Sequence, residues 1–74
     1  MDLKGTRTEQ NLKAAFTGES MARNKYLFFA EKAKKENLPE IAELFERMAQ
    51  NEGIHGKLLY QRWKGIGTSS ENLQ

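Results

Sequence analysis

Asn37-Leu38-Pro39 lies midway along the chain and decides how everything on either side is arranged. Asparagine tolerates the left-handed conformation that closes a helix. Proline restricts the residue before it to extended geometry and suits the first position of a new helix. One helix therefore ends and another begins within a short turn, which predicts an antiparallel helical hairpin and an all-α fold.

Upstream of the turn, from Thr8 to Glu36, there is no proline and the only glycine is Gly18. Leu12, Ala15, Phe16, Ala22, Tyr26, Phe29, Ala30 and Ala33 follow the three-and-four spacing of one helical face. Thr6 and Glu9 have capping-box spacing, and Thr8 is a second candidate cap. The first helix is thus predicted over about 8–36, after a polar entry arm. On its apolar face the gap between Phe16 and Ala22 is filled by Glu19, which should point into whatever the helix packs against.

Downstream, a second helix is predicted over about 39–64. Its stripe is Ile41, Phe45, Met48, Glu52, His55, Leu59 and Arg62, widened by Leu44, Leu58 and Trp63. Glu52 and His55 stand where the pattern asks for apolar residues. Gly53 and Gly56 beside them each cost up to about 1 kcal/mol of helix propensity relative to alanine. Either they permit close packing or they lie on the outer face as mediocre helix residues; the second reading suits Gly53 at least as well. Gly65-Ile66-Gly67 ends the helix and opens a polar tail over residues 65–74. There Gly67-Thr68-Ser69-Ser70-Glu71-Asn72-Leu73 echoes Gly5-Thr6-Arg7-Thr8-Glu9-Gln10-Asn11-Leu12 with one residue deleted, as though a second copy of the first helix were starting.

Composition narrows the chemistry. Seventy-four residues make one domain, here a single half-bundle over 1–74. A chain this short seldom builds a self-sufficient core without disulfides, a metal or a partner subunit. It has no cysteine, so disulfides, thiolate metal sites and cysteine nucleophiles are excluded. Twelve basic against ten acidic side chains, well interspersed, give no nucleic-acid footprint. Lys32, Lys34 and Lys35 cluster between Glu31 and Glu36, the pattern of a solvated face with local ion pairs. With no signal-peptide pattern and no apolar run of membrane-spanning length, the expectation is a soluble, cytoplasmic protein.

Hairpin arithmetic brings the polar residues of the two stripes together. Both helices rise about 1.5 Å per residue, so Glu19 lies level with roughly position 56, beside His55 and within about 6 Å axially of Glu52. Two carboxylates sharing an apolar layer repel each other and need a positive partner. The candidates are Arg23, protonated His55 or a metal ion. Glu-x-x-His alone is a weak motif and commonly an ordinary surface pair. With Glu19 at the same level, carboxylate and imidazole suit iron, manganese or zinc without distinguishing them. Tyr26, on the same face as Glu19, is either a core aromatic whose hydroxyl needs a partner or a donor to a ligand carboxylate.

Two helices share one inner surface, so a lone hairpin leaves its stripes half uncovered. A homodimer would bury them as a four-helix bundle and duplicate the ligands, giving four Glu and two His around one centre. Di-iron carboxylate bundles use that set: a Glu from each of two helices and Glu-x-x-His from each of the others.

The runs Leu3-Lys4-Gly5-Thr6, Thr8-Glu9-Gln10-Asn11-Leu12, Gly18-Glu19-Ser20-Met21-Ala22-Arg23-Asn24-Lys25-Tyr26 and Asn51-Glu52-Gly53-Ile54-His55 resemble the N-terminal half of the rubrerythrins. The resemblance implies a ferritin-like four-helix fold and a non-haem di-iron oxidoreductase that reduces hydrogen peroxide and protects against oxidative stress. It implies Glu19, Glu52 and His55 as iron ligands, two irons per dimer, and Tyr26 hydrogen-bonded to a ligand carboxylate. Rubrerythrins add a second helix pair and usually a cysteine-rich electron-donor domain, and this sequence has neither. An external electron-donor protein is therefore expected. In the family's second half an extra carboxylate stands three residues after the first-helix ligand, and the matching position here is Ala22. The chain reads as a half-length member or as a fragment of a longer protein. The competing functions are a ferroxidase or iron-binding protein sharing the same site, and a helical dimerisation module whose metal is structural or absent.

Overall fold

The computed structural model describes residues 3–74; the first two residues of the predicted entry arm lie outside them. Helix α1 spans Arg7–Lys35, α2 spans Pro39–Trp63 and a single turn, α3, spans Ser69–Asn72. Both long helices thus agree with the sequence pattern to within about a residue at each end, the usual uncertainty of helix boundaries.

Local chemistry accounts for the ends. Thr6 caps α1: its hydroxyl accepts the Glu9 amide at 3.1 Å and donates to the Leu3 carbonyl at 2.6 Å. Lys32, Lys34 and Lys35 occupy the last turn, where cations complement the helix dipole. Asn37 adopts φ +59°, the left-handed conformation, and Pro39 begins α2. Gly65 at φ +76° takes the chain out of α2. The echo at the C-terminal end is real structure: Thr68 and Glu71 form a complete capping box at the start of α3.

The lysine cluster is paired as its pattern suggests. Lys34 reaches Glu46 across the hairpin at 2.7 Å, and Lys35 reaches Glu31 one turn back at 3.5 Å. All four side chains are exposed, so each pair adds at most about 1 kcal/mol.

The seam between the helices is built from small residues. Ala30, Ala33, Ala42 and Ala49 form its buried apolar core, none more than 4% exposed, and Gly56 continues the row. Ala42, Ala49 and Gly56 stand seven residues apart, the repeat that keeps one side of a helix against a neighbour. The apolar stripe expected on α2 is therefore divided. Phe45, Met48, Glu52 and Leu59 flank the seam half-buried, while Ile41, His55 and Arg62 are exposed. No large side chain among the described residues is fully buried. The thinnest extent, 15 Å, is close to the ~10–12 Å diameter of one helix with its side chains. The hairpin is one layer of helix with both broad faces open.

Candidate metal centre

Glu19 projects from the middle of α1, and Glu52 and His55 from consecutive turns of α2. A Cβ placed on Gly56 would stand 3.9 Å from the Glu19 Cβ, so Glu19 is level with position 56, as the hairpin arithmetic requires. Each of the three residues offers one donor atom, and these atoms lie within 4.8 Å of one another. The layer inferred from helix rise exists.

The three differ in exposure. Glu19 and Glu52 are half-buried and His55 is exposed, its side chain 60% accessible, so His55 lies at the open rim. His55 Nδ1 stands 3.9 Å from Glu19 Oε2, too far for a hydrogen bond. That Glu19 oxygen is itself buried and has no hydrogen-bond partner. A buried carboxylate oxygen without a donor is costly, and a cation among these three donors would satisfy it. Two carboxylates and an imidazole form a donor set that suits iron, manganese or zinc.

Of the other possible countercharges, Arg23 is not used. Among the described residues it makes no ion pair with either carboxylate, and its side chain runs across α2 beside Gly53. A Cβ on Gly53 would meet Arg23 Nε at 3.2 Å. Gly53 is thus half-buried beneath Arg23, which of its two sequence readings favours close packing over the outer face. Gly56 is buried, and the nearest side-chain atoms to an added Cβ there are at ordinary contact distance.

Tyr26 lies further along the same face of α1. Its ring stacks on Phe45 at 6.3 Å with an interplanar angle of 15°, meets Phe29 edge-on at 6.3 Å and carries Lys25 Nζ 4.8 Å from its centroid. Within the described hairpin its hydroxyl makes no hydrogen bond. On the other side of the layer of Glu19, Glu52 and His55, Phe16, Tyr60 and Trp63 form a second aromatic group with centroids 5.2 to 6.0 Å apart. Trp63 Nε1 donates to Glu9 Oε2 at 3.3 Å, and the Gly5 amide donates to Glu9 Oε1 at 2.8 Å. Glu9 thereby ties the entry arm and the end of α2 to α1. Sequence reading gave Glu9 a capping role alone; the four-residue step from Phe16's partner Tyr60 back to Gly56 was the available clue to this cluster.

A profile of the rubrerythrin family matches residues 10–74. The chain belongs to the rubrerythrin family. It is 48% identical over 59 residues to rubrerythrin-1 of Clostridium acetobutylicum, covering 80% of this chain and 30% of that protein. Against the rubrerythrin of Nitratidesulfovibrio vulgaris it is 44% identical over 63 residues, covering 85% and 33%. Against that of Porphyromonas gingivalis it is 39% identical over 85 aligned positions, covering 97% and 42%. The chain therefore spans about a third of the length of these rubrerythrins. Membership brings the ferritin-like fold. No helix among the described residues is long and apolar enough to cross a membrane.

Proposed function

We propose that two copies of this hairpin pair into a four-helix bundle holding a non-haem di-iron centre that reduces hydrogen peroxide or oxygen. Glu19, Glu52 and His55 are the metal ligands from each copy in this reading. The observation that carries it is the buried, partnerless Glu19 Oε2 within 4.8 Å of the donor atoms of Glu52 and His55. The uncovered faces of the hairpin supply the surface for pairing, since a core of alanines alone leaves its large apolar side chains in water.

Within such a centre the chain's own groups have distinct tasks. The carboxylates of Glu19 and Glu52 neutralise positive charge in a water-poor layer, and His55 adds a neutral nitrogen at its rim. Tyr26 has no acceptor inside its own hairpin, so the carboxylate it orients belongs to the second copy. Bound iron supplies the redox chemistry, in which two electrons and two protons convert one hydrogen peroxide to two waters. A separate cytoplasmic protein delivers the electrons.

Anaerobic iron titration tests this directly. Two irons per dimer are expected, with binding lost in Glu52→Ala and in His55→Ala. Wild-type protein that binds no iron above background would overturn the redox reading and leave a helical dimerisation module. Stopped-flow oxidation by peroxide and by oxygen then separates the two oxidants and distinguishes peroxidase from ferroxidase turnover.

A further inference from the structure

The side of the hairpin away from His55 carries a cavity of about 480 Å³. Gly53 and Gly56 lie along it, Ser20, Arg23 and Lys57 stand around it, and the half-buried Glu52 contributes to its lining. His55 does not contribute to its lining. Glu52 thus has two sides: one beside His55 at the open rim, the other lining this cavity next to Gly53 and Gly56.

The electrostatics of the cavity have one sign at the mouth. Neither Arg23 nor Lys57 has an ion-pair or hydrogen-bond partner among the described residues. Arg23 is steered there by packing, its aliphatic part crossing Gly53 where a Cβ would meet Cδ at 3.4 Å. Two unpaired cations at the edge of a partly enclosed space raise the local concentration of anions. Ser20 and Tyr60 add hydroxyl groups that both donate and accept hydrogen bonds.

We propose that this cavity is the port through which a small polar or anionic oxidant of hydrogen peroxide's size reaches Glu52 and its metal layer. The inference rests on the paired-hairpin reading given above. When a second copy covers the rim that carries His55, that direct approach closes. The cavity beside Gly53 and Gly56, on the far side of the seam, stays open to solvent.

The chain has no cysteine, so one introduced thiol can be modified cleanly. Ser20→Cys would be labelled with methyl methanethiosulfonate or with a bulkier maleimide, and Thr17→Cys, exposed on α1, would be the control. The first readout needs no metal: in the metal-free dimer the Ser20→Cys thiol should react as fast as in the dissociated chain. Protection of that thiol on dimerisation overturns the proposal. The second readout is azide association with the iron-loaded dimer, followed optically by stopped flow. The maleimide adduct at Ser20→Cys should slow azide by at least about tenfold, with iron content unchanged. Gly56→Ala, whose methyl meets only ordinary contacts, should slow it by a smaller factor while keeping the fold. The Thr17→Cys adduct should leave it unchanged. An unaltered azide rate in a blocked dimer holding two irons overturns the port and leaves the metal centre standing. Wild-type protein that takes up no iron overturns both.

Discussion

Two sides of α2 meet different surroundings. Toward α1 it presents Ala42, Ala49 and Gly56, with the alanines 1% and 2% exposed. Away from that seam it presents Ile41, Leu44 and Leu58, at 44%, 49% and 55% exposure, with His55 among them. The seam fixes how closely the helices approach and brings Glu19 level with Glu52. The other side holds the apolar area that a stable protein of this size has to bury. Small residues set the geometry of the site, and the large residues lie outside the seam.

The comparison breaks most severely at the seam. Replacing Ala49 with leucine adds three carbons where the helices are in contact, and overpacking of this kind costs about 1–3 kcal/mol. Urea denaturation should show a lower midpoint for Ala49→Leu at unchanged protein concentration. The layer of Glu19, Glu52 and His55 should loosen with it, since Ala49 and Glu52 are neighbours on α2. A midpoint equal to wild type would mean that the helices do not meet at alanine.

On the open side the consequence should fall on association. Leu58→Ala removes apolar surface and improves helix propensity, so the hairpin's helix content should be preserved. Pairing should weaken by about tenfold, equivalent to ~1.4 kcal/mol, when dissociation is followed by sedimentation over a dilution series. If Leu58→Ala instead shifts the urea midpoint without changing the mass in solution, the open side does not mate with a second copy.

This division also explains what could be seen in the sequence. The turn at Asn37-Leu38-Pro39 and both helix lengths follow from backbone rules that act within a few residues. The Glu19 layer follows from helix rise once the turn is fixed. The seam was hidden because a search for apolar periodicity rewards Ile41, Phe45 and Leu59 and overlooks a seven-residue row of Ala42, Ala49 and Gly56. Which face of α2 meets α1 is settled by how close the backbones can come, and small side chains decide that. Gly53 stayed between two readings for the same reason: what packs on it is Arg23, thirty residues earlier, and no local pattern connects them. For Tyr26 one hairpin supplies ring contacts with Phe29 and Phe45 and no acceptor for the hydroxyl.

The smallest expected effect concerns α3, which packs on neither long helix and so belongs with the open region. Its order rests on the Thr68–Glu71 box, in which the Thr68 amide donates to Glu71 Oε1 at 2.9 Å and the Glu71 amide donates to Thr68 Oγ1 at 3.2 Å. The bond from the Thr68 backbone, and secondarily that from its side chain, holds the Glu71 carboxyl below its ordinary value. A lowered folded-state pKa favours the charged form in the capped turn. The box therefore contributes fully above the ordinary carboxylate range and is lost as pH falls through the lowered value. An NMR titration should show Glu71 protonating at lower pH than a free glutamate, with the amides of Glu71 and Asn72 losing exchange protection over the same interval. Glu71→Ala should abolish that protection at every pH and leave the urea midpoint of the hairpin unmoved. A shift of that midpoint would show α3 braced against the seam, which the contacts of the fold do not provide.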